Sequence, residues 1–460
     1  MAERRLHRAA IAIYGVQALA GAAFPLIVIL GLTLLGGRGE NIVRPLIYGV
    51  IGIAGALVAG YVKWTTTRYG IDERAIHHRT GLIKVEDTDV PLARVEALDV
   101  QQGPLQRLFG VQAVHVQTGG GGKGGEIVLP ALGPAEVREL RERVGVAPAA
   151  AEPATRLRLG PGRLLLAALT TGQLGIVLPV VAGAFQIAQQ ALEQAGGRRA
   201  VQALPHAASE WVTLAAALLG AAWALSVLGS IVAFAGFTAV RDGDRLRIRR
   251  GLLARREATI PVARVRAVRV VEGVLRRPFG LAALHVEVTG YAEEASAART
   301  LFPLVRTRGV RAALDALLPE LADELGPLER PPARAQRRYL LLPSLAGLLA
   351  GGAGALALES PWPLLTLLAG LAYGRARWRA AGWRLRDGRV AIRSLRLARV
   401  TVLAPARNRE SHELAQSVLQ RRARLADLRV DFGKQTAARI RHLDLADAAD
   451  AWEALSRRAR

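Results

Sequence analysis

Seven consecutive residues, Gly119-Gly120-Gly121-Gly122-Lys123-Gly124-Gly125, have the composition of a phosphate-cradling loop, and Gly119, Gly121 and Gly124 satisfy G-x-G-x-x-G. Such a loop needs Ser or Thr after its Lys to hold Mg²⁺, and a helix opening directly behind it. Here Gly124 follows Lys123, and Glu126-Ile127-Val128-Leu129 reads as a strand, so the run is read as a hairpin tip. Metal chemistry lacks its spacing as well. His77 and His78 are adjacent and point to opposite faces of a strand, while His412-Glu413 has Gln416 where H-E-x-x-H requires its second His. His115 and His285 lie in apolar strands and read as structural. The chain has no Cys, which removes disulfides, thiolate metal sites and cysteine nucleophiles. No Ser/His/Asp set or separated carboxylate pair recurs, so the expectation is no catalytic residue, no metal, no cofactor and no enzyme activity.

What does recur is arginine inside a repeated motif. Gly81-Leu82, Pro91-Leu92-Ala93-Arg94-Val95, Gly103-Pro104-Leu105-Gln106-Arg107-Leu108-Phe109-Gly110 and His115-Val116 return at a constant offset of 170 residues. The second set is Gly251-Leu252, Pro261-Val262-Ala263-Arg264-Val265, Gly273-Val274-Leu275-Arg276-Arg277-Pro278-Phe279-Gly280 and His285-Val286. A third, degraded copy stands 314 residues after the first, with Pro405, Leu419-Gln420-Arg421 and Val430 in place, Asn408 at the Arg94 position and Ala423-Arg424 replacing Phe-Gly. Arg94, Arg264, Arg107 and Arg277 read either as contacts to phosphate or an acidic partner, or as guanidinium groups tying loop carbonyls and carboxylates together. The planar fork of arginine suits both tasks.

The elements that must position these residues divide sharply by polarity. Hydrophobic residues make up 51% of the 460, yet the chain holds 62 Lys+Arg against 38 Asp+Glu. Long apolar runs free of Asp, Glu, Lys and Arg cover 11–35, 46–62, 164–188, 211–237 and 339–358, with a shorter one at 362–373. Crossing a bilayer takes about 20 apolar residues, so the expectation is six transmembrane helices in three pairs. The short links inside the pairs, 36–45, 189–210 and 359–361, carry net charges of +1, 0 and −1. The formal charge of +24 therefore lies on the other face, and positive-inside topology places both termini and the hydrophilic segments in the cytoplasm.

Each hydrophilic segment reads as short antiparallel strands. Acidic turns at Asp72-Glu73 and Asp242-Gly243-Asp244 separate alternating runs, and helices are expected at 134–144 and 307–318. Strands closed by one C-terminal helix indicate a small barrel or sandwich plugged by that helix. The expected order is a transmembrane pair at 1–62, module one at 63–147, a linker at 148–163 and a second pair at 164–237. Module two follows at 238–328, a linker at 329–338, a third pair at 339–374 and divergent module three at 375–460.

Two spans, a hairpin, then G-L, P-x-x-R-V and G-x-L-x-R-x-F-G, repeated along the chain, resemble the bacterial pleckstrin-homology (PH) domain of the YdbS/YdbT-like membrane proteins. The motif residues carrying the resemblance are Pro91, Arg94, Gly103, Leu105, Arg107, Phe109 and Gly110, and in the second copy Pro261, Arg264, Gly273, Leu275, Arg277, Phe279 and Gly280. The resemblance implies a PH-like fold, a tie to the bacterial envelope and no enzymatic activity. The modules are not equivalent in charge. Residues 63–147 hold 11 basic against 11 acidic side chains, 238–330 hold 17 against 12, and 375–460 hold 21 against 9. In the third, Arg375, Arg377, Trp378, Arg379 and Trp383 combine arginine with interfacial aromatics behind a span, a pattern suited to anionic headgroups. The sequence points to a non-enzymatic scaffold or sensor of the bacterial cytoplasmic membrane, and the family resemblance implies that it serves envelope integrity or stress defence. Its expected partners are anionic inner-leaflet lipid, other proteins or itself, and not nucleic acid. The competing class, a transporter or channel, rests on Gln17, Thr170, Thr171, Gln173 and Gln186 within the spans.

Overall fold

Alternation along Arg245-Leu246-Arg247-Ile248-Arg249 buries Leu246 and Ile248 and turns the arginines outward, as a strand with one face on a core requires. The computed structural model describes residues 4–19, 43–82, 85–118, 126–144, 155–170, 208–288, 300–323, 325–357, 359–433 and 436–457. Its strands in chain order are β1 Arg4–Arg5, β2 Arg68–Ile71, β3 Ala75–Thr80, β4 Glu86–Pro91, β5 Val95–Gln102, β6 Gln112–Thr118 and β7 Glu126–Leu132. Then come β8 Thr155–Arg158, β9 Thr238–Asp242, β10 Arg245–Arg250, β11 Arg255–Pro261, β12 Val265–Glu272, β13 Leu281–Val288 and β14 Thr300–Arg306. The third repeat supplies β15 Gly382–Arg386, β16 Arg389–Leu395, β17 Arg399–Pro405, β18 Ser411–Ala415, β19 Leu425–Asp431 and β20 Ala437–Asp444.

The chain forms two compact units whose boundary passes through the second repeat. One holds Met1–Glu152, Arg158–Thr238 and Ile248–Thr259; the other holds Pro153–Leu157, Ala239–Arg247 and Ile260–Arg460. In the first unit, the antiparallel sheet β1-β2-β3-β4 and the strands β7-β6-β5 close around Tyr69, Ile76, Leu98, Val114, Ile127 and Leu129. Each such side chain contributes about 1.5–3 kcal/mol when removed from water. The helix Pro134–Arg143 plugs this core with Val137 and Leu140. Its start is local chemistry: Pro134 sits at the first position, and the Glu136 carboxylate accepts from the Gly133 N–H at 2.7 Å and from the Tyr69 hydroxyl at 2.7 Å. The extreme N-terminus also belongs to this module. Arg4 pairs with Tyr69 across the sheet, and Trp64 Nε1 donates to the Leu6 carbonyl at 2.8 Å.

The second unit contains the six-stranded sheet β14-β13-β12-β17-β16-β15 and the three-stranded sheet β18-β19-β20, with the helix Leu445–Arg457 packed on Leu428, Phe432 and Ile440. Sheets therefore run across the repeats. In the first unit β5 pairs with β11, through Gln102↔Arg255, Gln101↔Arg256 and Val100↔Glu257. In the second, β12 pairs with β17, from Glu272↔Arg399 to Val268↔Leu403. The sequence reading of three separately closed modules carried no hint of this, because an edge strand has the same alternation whatever it pairs with.

Of the six expected spans, two described helices are long and apolar enough to cross a membrane, Gly49–Thr66 and Ala333–Ala357. Shorter apolar helices occupy Ala9–Leu19 and Leu219–Phe234, and most of the expected first and third spans lies outside the described residues. The short sixth run continues as the helix Leu365–Ala380, which packs on Gln336–Ala357 through glycine. A Cβ at Gly370 would stand 2.3 Å from the Pro343 carbonyl oxygen, and one at Gly347 would stand 2.4 Å from that of Thr366. Small residues let the two backbones approach, and Thr366 Oγ1 donates to the Gly347 carbonyl at 2.6 Å.

Candidate functional site

The polar residues shared by the repeats sit at the turns that link their strands. Pro91 and Pro261 each end a strand and start a one-turn helix that finishes at Arg94 or Arg264. In the third copy the same turn finishes at Asn408, whose side-chain amide donates to the Val265 and Arg266 carbonyls at 3.3 and 3.2 Å. The departure from arginine thus carries a contact of its own, between the second and third repeats. Gly103 and Gly273 precede the second motif turn, where Leu105 packs against the first core while Leu275 is exposed. Arg107 donates to the Leu252 carbonyl at 3.0 Å. Arg277 opens the equivalent turn in copy two. Gly110 and Gly280 close these turns at φ +65° and +61°, in the left-handed region that glycine enters freely. Arg424 takes the same role at φ +50°. Phe109 and Phe279 are 43% and 70% exposed.

His285 is half-buried, and loss of water around its imidazole first, with Arg269 and Arg276 behind it, pushes the group down to about 4, so it is neutral. His77 pairs with Asp89 on the neighbouring strand. Thr170 donates to the Leu166 carbonyl of its own helix at 2.7 Å, whereas Thr171, Gln173 and Gln186 lie outside the described residues, as do the glycine run and its second-repeat counterpart at 290–298.

The predicted lipid-contact residues separate into two groups. Arg375 and Arg379 are exposed on the last turns of Leu365–Ala380, with the Arg375 guanidinium 5.9 Å from the Trp378 ring. Trp383 is a core residue, 9% exposed. Its backbone N–H and carbonyl both bond Glu329, at 2.9 and 2.8 Å, so its indole packs under the sheet and cannot reach a headgroup. Arg377 turns inward from the same helix, its guanidinium 5.8 Å from the Tyr339 ring and 5.7 Å from the Tyr373 ring.

Arg377 opens onto a cavity of about 460 Å³ in the second unit. Six arginines line it: Arg269 from β12, Arg377, Arg393 from β16, Arg396 from the β16–β17 turn, and Arg439 and Arg441 from β20. Among the described residues no Asp or Glu lines it, and the rest of the wall is largely aliphatic. Some of the charge is answered locally: Arg439 pairs with buried Asp427 at 2.8 Å, and Arg393 Nε donates to the Ala380 carbonyl at 2.8 Å. Much is not. Burial, then Arg399, holds the Arg393 guanidinium below its ordinary value; burial, then Arg439 and Arg377, does the same to Arg441. The Nε atoms of Arg377 and Arg439 are buried with no hydrogen-bond partner. Buried donors are normally satisfied, so two idle N–H groups in a cationic pocket are donors that an anion could take. Among the described residues of the wall, no nucleophile stands beside a base.

The cavity sits where helix meets sheet. Tyr339, at the start of Gln336–Ala357, donates its hydroxyl to the Arg441 carbonyl at 2.7 Å, and Tyr373 donates to the Arg396 carbonyl at 2.9 Å. Leu397, next to Arg396, is 77% exposed alongside the helix pair. The second repeat has the same arrangement, Gly251 and Leu252 bonding the Ala235 and Val232 carbonyls at 2.8 and 2.9 Å at the end of the helix Ala208–Phe234. Sequence reasoning found Arg377 but missed the other five arginines. Arg439 and Arg441, two apart on one strand, were a legible pair; Arg269 comes from another repeat and left no local signal.

Comparison with known proteins agrees with the repeat reading. A family model described as Bacterial PH domain matches residues 20–146, 177–320 and 339–459. The UPF0699 transmembrane protein YdbT of Bacillus subtilis (strain 168) is 23% identical, the alignment covering 82% of this chain and 83% of that protein.

Proposed function

Because this chain belongs to the bacterial PH domain family, we propose that it is a non-enzymatic membrane scaffold whose third module holds an anionic lipid headgroup in the arginine-lined cavity. The observation that carries this reading is the convergence of six arginines and two unpartnered buried Nε atoms at the sheet-side end of a helix long and apolar enough to cross a membrane. Phosphate suits the guanidinium forks and the aliphatic wall suits an acyl–glycerol stem, a combination that a soluble inorganic anion would use only in part. Arg375, Trp378 and Arg379 flank the helix end as interfacial contacts, and exposed Leu397 enters the headgroup layer beside them.

In this reading the chain crosses the cytoplasmic membrane six times in three pairs, each pair followed by a cytoplasmic PH-like module. The pairing of β1 with β2 supports a cytoplasmic N-terminus, since residues 4–5 share a sheet with the first module. A role in envelope integrity or stress defence follows the family resemblance. The test is lipid selectivity. The intact protein, purified from membranes and examined by native mass spectrometry, is expected to retain phosphatidylglycerol or cardiolipin over phosphatidylcholine, and an Arg377→Gln/Arg396→Gln/Arg441→Gln variant to lose that preference. Equal selectivity in variant and parent removes the cavity from the proposal.

A further inference from the structure

The pairings that join successive repeats obey one rule. Removing the repeat offsets, Glu272 is the counterpart of Gln102, and Arg255 and Arg399 are both counterparts of Val85. The joint Gln102↔Arg255, Gln101↔Arg256, Val100↔Glu257 and the joint Glu272↔Arg399, Val271↔Val400, Val270↔Thr401 therefore have the same register, pair for pair. Each repeat presents two joining edges. One is the last strand of its first sheet, β4, β11 or β17; the other is the first strand of its second sheet, β5, β12 or β18. The internal joints use four of these six. Among the described residues the two left over are one of each kind: β4 ends the sheet β1-β2-β3-β4, and β18 ends the sheet β18-β19-β20.

We infer that these two edges are halves of a third joint made between molecules, β18 of one chain pairing with β4 of a second copy. The register of the internal joints sets Gln416 against Val85, Ala415 against Glu86, Leu414 against Asp87, Glu413 against Thr88 and His412 against Asp89. Along β4, Glu86, Asp87 and Asp89 are exposed, and along β18 so are Ser411 and Glu413, so the open rows of N–H and C=O groups are accessible. No like charges meet directly in this register, and His412 faces a carboxylate. Glu86 and Glu413 do lie diagonally across the joint, where like charge weakens pairing. The ion pair between buried Glu272 and Arg399 that reinforces the second internal joint has no counterpart, because Gln416 and Val85 occupy those places. The joint between copies is therefore weaker than the second internal joint, and salt, by screening the carboxylates, strengthens it. Such an interface is heterologous: each copy keeps one free edge of each kind, so the assembly grows as a row or closes as a ring instead of stopping at a two-fold dimer. A second copy is the fitting occupant because both existing joints are made between repeats of this same chain. The inference does not depend on the lipid-binding reading.

The absence of cysteine gives a clean crosslinking test. In the full-length protein in membranes, Glu86→Cys and Ala415→Cys chains are co-expressed and treated with a short bis-maleimide. A dimer linking the two is expected, and the double variant is expected to give a ladder of higher species. Val271→Cys/Val400→Cys, the corresponding internal pair, should crosslink within one chain and so verifies the register and the folded state. The off-register pair Glu86→Cys with Ser411→Cys should react several-fold less, and added salt should raise the Glu86–Ala415 yield. Equal yields in and out of register, no intermolecular product while the internal pair reacts, or a dimer formed as readily by Glu86→Cys alone would each overturn the inference.

Discussion

Replacing Arg441 with Gln separates an anion-binding role for the cavity from a purely structural one, because its two consequences have opposite sign. Arg441 shares β20 with Arg439, and burial, Arg439 and Arg377 all disfavour its charge. At an effective dielectric of about 20, like charges several ångströms apart repel by a few kcal/mol. Arg441 is only partly buried, and solvent screening leaves a fraction of that, on the order of 0.5–1 kcal/mol. Without lipid, Arg441→Gln is therefore expected to raise the midpoint of thermal unfolding by about 1–4 °C. With lipid, the variant lacks one cationic contact. A basic residue near an anionic surface contributes about 1 kcal/mol, so affinity for phosphatidylglycerol should fall roughly fivefold. The assay is tryptophan fluorescence against temperature, in detergent, titrated with phosphatidylglycerol and separately with phosphatidylcholine. Ligand binding to the folded state raises the midpoint according to its dissociation constant, so the curve reads stability and affinity together. A variant that melts lower in the absence of lipid and keeps the full lipid-induced rise would refute the reasoning, and would make the arginine cluster a scaffold.

Three further outcomes are expected. His285 is held neutral by burial, its value near 4 against 6.5 for the free side chain, so the unfolded chain binds more protons between those values and stability falls as pH drops from 6.5 towards 4. The loss is on the order of 3 kcal/mol, and His285→Gln should flatten this part of a denaturation-midpoint profile against pH. Gly370→Leu should separate the helices Gln336–Ala357 and Leu365–Ala380, since even a Cβ there would stand 2.3 Å from a carbonyl oxygen, and lowered accumulation in membranes with increased protease sensitivity near residue 360 would register it. At the motif turns the sign reverses with residue type: Gly110→Ala should cost about 1 kcal/mol through its left-handed backbone alone, as the space around it is open, while Arg424→Gly should gain a similar amount in chemical denaturation.

Local pattern made much of this protein legible. Apolar length marked the helices over 43–66 and 336–357, alternation with acidic turns marked the hairpins, and a constant offset marked the repeats. These signals are short-range, and the forces behind them act between neighbours in sequence. Exposure was less legible. Trp383 beside a cluster of arginines suggested a surface aromatic, yet its strand pairs with Glu329 and turns it into the core, while Phe109 and Phe279 of the repeated motif point outward. Which edge pairs with which was not legible at all, since alternation is the same in a strand that finds its partner at home and one that finds it in the next repeat. Tertiary structure decided that question, by setting β12 against β17 and so bringing Arg269 to a cavity whose other arginines lie more than a hundred residues away in sequence. The sequence by itself determined that basic charge would concentrate in the last module; only folding across repeats made that charge a pocket, because convergence in space requires long-range pairing that no local period records.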